Sequence, residues 1–196
     1  MALIVKRISD IFTEVKDSLQ DQQGTRWTEQ ELYRYLDQGM RNIALATKYN
    51  LIKHEIAVGD KTASPFVDTY TLPLEAIEFY SIHSKDKTAE TTQSNEIIDA
   101  RTIRFPENKR EDVVVEYYAF PNRVVYGTVV ELELDEDLYD ALYMFILYRA
   151  YQKEASTENL AKAGYFNGEY RTQLSLNMTR WHGKYEVTSS RTAFLR

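Results

Sequence analysis

The chain contains no cysteine, which excludes disulfides, a thiolate nucleophile and cysteine-ligated metal. Histidine is nearly as scarce: His54, His83 and His182 lie far apart, and no pair has the spacing of metal ligands. The seven glycines, Gly24, Gly39, Gly59, Gly127, Gly164, Gly168 and Gly183, nowhere form a loop that could cradle a phosphate. Neither a G-x-S-x-G elbow nor an H-E-x-x-H motif occurs. Long apolar stretches are missing too. The longest, Ala141 to Tyr148, is eight residues and ends at Arg149, whereas a membrane span needs about 20. The opening MALIVKRISDIF reaches Lys6 and Arg7 too soon for a signal peptide. A protein made and used on the cytoplasmic side of the membrane is expected, with no cofactor and no metal.

What is present is a chain of 196 residues, 43% hydrophobic, most simply one structural domain with a subdomain inserted. A chain of this size buries roughly 70% of the surface it exposes when unfolded. Fifteen tyrosines are many; they suit either protein interfaces or tyrosine-rich edge strands. The net charge of −6 is uneven. From Thr172 onward Arg180, Lys184, Arg191 and Arg196 face only Glu186, a surplus of +3 that leaves −9 on the rest. A basic tail on an acidic body reads either as a segment that docks on something acidic or as a frayed end with incidental charges. With pI near 5.2 and scattered basic residues elsewhere, the chain is not built like a duplex-DNA-binding module.

Ile4, Ile8, Ile11, Phe12, Val15 and Leu19 recur at helical spacing and predict a first helix over roughly 4–20. After a turn at 20–25 a second helix begins, with Thr28 and Glu31 as a capping box and Trp27 and Leu32 as a hydrophobic staple. Leu32, Leu36, Met40 and Ile43 line its face, completing an antiparallel hairpin over 1–50. The period then changes to two. Segments 53–58, 67–72 and 79–83 read as strands, 101–105 and 112–119 as a hairpin, and 129–134 as a last strand, with an exposed loop at 85–95. Residues 135–178 predict two core helices, the first opened by Asp135 and the second by Thr157 with a stripe of Leu160, Ala163, Gly164, Asn167, Leu174 and Met178. Residues 179–196 show no sustained period, yet carry Trp181, Tyr185, Phe194 and Leu195; an extended arm that packs on something is expected. The fold class is therefore α+β: a helical bundle (N-terminal helical hairpin plus long C-terminal helices), an inserted small antiparallel β-sheet over 51–134 and an extended C-terminal arm.

Two features invite chemistry and yield little. Glu131, Glu133, Asp135, Glu136 and Asp137 form an acidic cluster, but Glu131 and Glu133 share the solvent face of a strand and the others suit a helix start. An acidic face has another use, lining a channel through which DNA must slide without sticking. Arg149, at the end of an otherwise apolar run, either snorkels at the helix edge or forms an ion pair that fixes the helix.

Trp27-Thr28 with Glu31-Leu32, Tyr35-Leu36-Asp37, Gly39, Arg41 and Ile43 resembles the N-terminal signature of tailed-bacteriophage head-to-tail adaptor proteins. Leu72-Pro73, then Tyr117-Tyr118-Ala119 with Pro121, is similar to the middle of that family, although Asn122 stands where a second proline is frequent. Leu138, Ala141-Leu142 and Leu147-Tyr148-Arg149-Ala150-Tyr151 resemble its core helix, which ends in an arginine-alanine-tyrosine triplet. The likeness spans about 8–174 and rests on the order and spacing of these motifs.

The resemblance implies a non-enzymatic structural protein of the virion. Such adaptors form a homo-oligomeric ring, typically twelvefold, beneath the portal protein at the head–tail junction. They extend the DNA channel, pass DNA without sequence-specific binding, and offer a platform to a tail or tail-nozzle protein; no membrane is involved and assembly is in the host cytoplasm. In this frame the arm residues Arg180, Trp181, Lys184, Tyr185, Arg191, Phe194, Leu195 and Arg196 are expected to dock on the portal. Tyr143, Leu147, Arg149 and Tyr151 are expected at the subunit interface, and Glu131 and Glu133 toward the channel. The rival readings are another tail component (tail terminator or tail tube) and a cell-wall hydrolase acting through an acid such as Glu131.

Overall fold

A computed structural model describes residues 3–56, 69–84, 96–98, 101–104, 113–128, 131–154 and 156–186. The elements in chain order are β1 (Leu3–Arg7), α1 (Ile8–Leu19), α2 (Glu29–Thr47), β2 (Leu51–Ile56), β3 (Thr69–Thr71), β4 (Ala76–Ser84), β5 (Glu96–Ile97), β6 (Thr102–Arg104), β7 (Val113–Ala119), β8 (Glu131–Asp135), α3 (Glu136–Lys153) and α4 (Thr157–Glu186). Helices and strands are segregated, as the α+β class requires. The chain divides into a helical unit, Met1–Thr47 with Asn122–Arg196, and a β unit, Lys48–Pro121. The inserted region thus ends earlier than the expected 134, because β8 pairs with β1 and joins the helices.

In the helical unit α1 buries Ile8, Ile11, Phe12, Val15 and Leu19, the stripe its period predicts. Its start differs: residues 3–7 are a strand, antiparallel to β8 with Ile4 opposite Leu134. Ile4 is in helical phase with Ile8, so periodicity alone could not tell the two apart. The capping box of α2 is formed: the Thr28 N–H donates to Glu31 Oε2 at 3.0 Å and the Glu31 N–H to Thr28 Oγ1 at 3.3 Å. Trp27 and Leu32 are fully buried.

Helix α3 is the centre of this unit, and three neighbours explain its apolar sides. Toward α1, Tyr139 donates its hydroxyl to Glu14 Oε2 at 2.6 Å and Tyr151 donates to the Ser18 carbonyl at 3.2 Å. Burial, and then the Glu14 carboxylate, raise the Tyr139 pKa and keep that donor protonated. Toward α4, Phe145 meets the Tyr170 ring at 5.2 Å and Tyr151 stacks on Phe166 at 5.6 Å. Toward α2 the close approach depends on Gly39, where an added Cβ would stand 2.6 Å from Leu142 Cδ1 and 2.9 Å from Phe145 Cδ1. Both side chains are themselves packed in the core. Gly39→Val is expected to destabilise the protein by about 2 kcal/mol through overpacking. An unchanged midpoint of urea unfolding would show that the α2–α3 seam yields at this point.

Helix α4 departs from expectation in three ways. Its N-cap is Ser156, whose Oγ accepts the Asn159 N–H at 3.2 Å, so Thr157 is the first helical residue. Its buried line is Ala163, Tyr170 and Asn177, while Leu160 and Gly164 turn outward. The aromatic area of Tyr170 and Phe166 outweighs what Leu160 could bury. The helix also continues through Gly183 to Glu186, so 179–186 are helical and not extended. A single glycine costs only about 1 kcal/mol in a helix, too little to end one of this length. Residues 187–196 lie outside the described residues.

Among the described residues the β unit holds two three-stranded sheets, β2-β7-β4 and β3-β6-β5. The expected 101–119 hairpin does not form. β6 pairs with β3 and β5, whereas β7 pairs with β2 and β4. The core joins Leu72 and Ile103 to Val113, Val115, Tyr117 and Ala119, with Ile52, Tyr70, Phe79 and Ile82 packed against them. Phe79 and Ile82 reach the same core because the register slips between Phe79 and Ser81, an irregularity the simple alternation of 79–83 did not anticipate. Buried Glu116 accepts from Ser81 Oγ at 2.7 Å and pairs with Lys53 at 2.6 Å. Burial pushes its carboxyl upward, but these two partners and the Lys53 charge outweigh it and hold the pKa below the usual range. β3 ends at Thr71, just ahead of Leu72-Pro73, so the strand closes at that proline as expected; the 85–95 loop lies outside the described residues.

Candidate interaction surfaces

The best-built constellation joins the α1–α2 corner to the end of α3. Asp21, itself buried, accepts the backbone N–H groups of Thr25, Arg26 and Trp27 at 3.0, 2.9 and 3.0 Å and the Thr25 hydroxyl at 2.9 Å. Burial alone would raise its pKa, but these bonds to the charged form prevail and lower it. So fixed, Trp27 donates from Nε1 to the Ala150 carbonyl at 2.9 Å, one of the last α3 carbonyls that need an outside partner. The Arg26 guanidinium lies 4.4 Å from the Trp27 ring centroid and pairs with Glu154. Lys153 donates to the Arg26 carbonyl at 2.8 Å and pairs with Glu31 at 2.7 Å. The Lys153 hydrogen bond is the main reason Glu31 titrates low. Asp37 accepts the Val124 N–H at 3.0 Å, holding the segment after Pro121 onto α2.

The expected interface residues are mostly used within the chain. Leu147 is 1% exposed, and Tyr151, packed against Trp27 and Phe166, is 8% exposed, so little of either is left at the surface of the chain. The cover that α3 needs comes from α1, α2 and α4 of the same chain. Tyr143 is half-buried, its hydroxyl 2.6 Å from Ser18 Oγ. Arg149 makes no ion pair among the described residues: its Nη1 donates to Gln152 Oε1 at 3.1 Å, its guanidinium lies 5.8 Å from the Tyr35 ring centroid, and its Nε is buried without a bond. Neither original reading of Arg149 foresaw this aromatic seat. Glu131 is exposed on β8 opposite Arg7; the Glu133 side chain lies outside the described residues. Arg180, Trp181, Lys184 and Tyr185 occupy the last two turns of α4, and Arg191, Phe194, Leu195 and Arg196 lie outside the described residues.

A surface that the sequence reading missed is the outer face of α4. Ala161, Gly164, Tyr165, Gly168, Thr172, Ser175, Leu176 and Thr179 are all exposed, and none is charged. Tyr165 and Leu176 are 63% and 53% exposed. A solvated helix face ordinarily carries Lys and Glu. The signal was in the sequence as a second stripe opposite Ala163 and Tyr170, hidden by assigning Gly164 to the buried side. Among the described residues no group of His, Asp and Glu could hold a metal ion, and no helix is long and apolar enough to cross a membrane.

The model of the SU10 adaptor protein family matches residues 6–191. The chain belongs to that family. No curated protein matches it. As a phage head-to-tail adaptor it has a structural role at the head–tail junction of a virion. The motifs that carried the resemblance turn out to be packing seams of the SU10 adaptor body: Trp27 meets Ala150 of the arginine-alanine-tyrosine triplet, Tyr35 underlies Arg149, and Gly39 admits Leu142 and Phe145.

Proposed function

We propose that this adaptor assembles as a closed homo-oligomeric ring, twelvefold as its family resemblance implies, beneath the portal protein. The ring extends the DNA channel used in ejection and gives a tail or tail-nozzle protein its platform. The observation that carries the reading is the family match over nearly the whole chain. The uncharged, exposed face of α4 supports it, since a solitary subunit gains nothing from presenting Tyr165 and Leu176 to water. The net charge of −6 suits a wall that DNA slides past, with Glu131 and Glu133 facing the channel. Tyr143 and Arg149, both part-exposed, remain open to a neighbouring subunit. Electron microscopy of virion-derived junctions, or of the protein mixed with the portal of the same phage, is expected to show a ring on the portal. No ring in either sample would end the proposal, whereas a monomer alone in solution would not.

The basic end is proposed as the portal-docking arm. Truncation after Glu186 spares α4 and removes Arg191, Phe194, Leu195 and Arg196. The truncated protein is expected to unfold at the same temperature as the full chain and to lose co-sedimentation with portal-bearing heads. Undiminished co-sedimentation would assign docking elsewhere.

A further inference from the structure

β1 and β8 form a two-stranded ribbon, and among the described residues neither outer edge has a partner strand. An isolated two-stranded ribbon is marginal, and each open edge presents the N–H and C=O groups that point away from its mate. The two edges differ in charge. β1 carries Lys6 and Arg7 and no acid; β8 carries Glu131, Glu133 and Asp135 and no base. Within the ribbon the register sets only Arg7 against an acid, Glu131; Lys6 stands opposite Leu132, and Glu133 and Asp135 stand opposite Val5 and Leu3. Neither strand contains a proline to blunt its edge.

We infer that the β1 edge of one copy adds to the β8 edge of the next, so that the ribbons of neighbouring copies join into one continuous sheet. Backbone hydrogen bonds supply the contact, and charge selects its sense. A β1 edge repels another β1 edge and a β8 edge repels another β8 edge, while β1 and β8 attract. Unlike-to-unlike pairing is the heterologous kind of contact, which generates rings when its rotation closes and cannot stop at a two-fold dimer. The occupant of each edge is therefore a second copy of this chain, and this inference rests on the ring reading above.

A charge swap tests it. One variant carries Lys6→Glu with Arg7→Glu; the other carries Glu131→Lys with Glu133→Lys. Each alone juxtaposes like charges at every joint, and its yield of rings on the portal is expected to fall at least tenfold. An equimolar mixture places opposite charges at every joint of an alternating ring. It is expected to restore the yield, with the two variants present one to one by native mass spectrometry. The charges inside each ribbon remain mismatched in the mixture, so recovery cannot come from repair within a subunit. A mixture no better than its components, when the unaltered protein forms rings, overturns the edge contact and leaves the ring standing. Absence of rings from the unaltered protein overturns both. Should either variant fail to fold, hydrogen exchange of the unaltered protein decides: amides of 3–7 and 131–135 slow at least tenfold on ring formation, and unchanged exchange there refutes the joint.

Discussion

Trp27→Ala is expected to lower the stability of the adaptor by about 3–5 kcal/mol, the range for truncating a fully buried aromatic. Trp27 has no exposed surface, and its ring centroid lies 4.4 Å from the Arg26 guanidinium and 6.2 Å from the Tyr151 ring in a T-shaped contact. A domain is stable by only about 5–15 kcal/mol in all, so the loss is a large share of the total. Trp27→Phe separates the two parts of the effect. It keeps most of the apolar area but strips the donor from the Ala150 carbonyl, and leaving one buried polar group unpaired costs about 1–3 kcal/mol. Urea unfolding followed by circular dichroism should therefore rank the midpoints as unaltered protein, then Trp27→Phe, then Trp27→Ala. Equal midpoints for the two variants would mean that the hydrogen bond, and not the packing, fastens the corner to α3.

That corner also shows what a single sequence makes legible. The Thr28–Glu31 box is a local pattern, fixed by spacing along one helix start, and it forms as expected, while the staple residues Trp27 and Leu32 are both buried. The α1 and α2 faces follow from the same short-range period. Features that depend on distant partners were hidden. β1 is a strand only because β8, far along the chain, pairs with it. β6 and β7 are neighbours in sequence but belong to different sheets, so adjacency suggested a hairpin that the sheets do not use. A register slip between Phe79 and Ser81 put Phe79 and Ile82 on one face, and no propensity marks such a slip. The candidate site suffered similarly. The apolar run of α3 said that Leu147 and Tyr151 need cover, but period alone could not say whether it comes from this chain or the next. Placing Tyr170 and Phe166 of α4 over α3 answered that, and the same placement exposed the uncharged face behind them.

Asp21→Ala is expected to destabilise the helical unit by about 2–4 kcal/mol, since it orphans the buried Trp27 N–H along with those of Thr25 and Arg26. Solvent can reach Thr25 and Arg26, which are exposed, so the Trp27 amide carries most of the penalty. Asp21→Asn keeps the shape and one acceptor oxygen but turns an amide NH2 toward the other donors, and should fall between. Protonation makes the same change reversibly. The Asp21 pKa is lowered on folding, so its contribution is fully present above the ordinary value of 3.8 and is lost as pH falls through the folded value. The stability difference between the unaltered protein and Asp21→Asn should accordingly be constant near neutrality and shrink only in acid. Other carboxylates titrate in the same window, but they are common to both proteins and cancel in the difference. A gap that stayed constant throughout acid would show that the charge of Asp21 does not hold the three amides. The turn that presents Trp27 to α3 would then be held by its packing and by the Trp27 Nε1 bond to the Ala150 carbonyl, without help from the Asp21 charge.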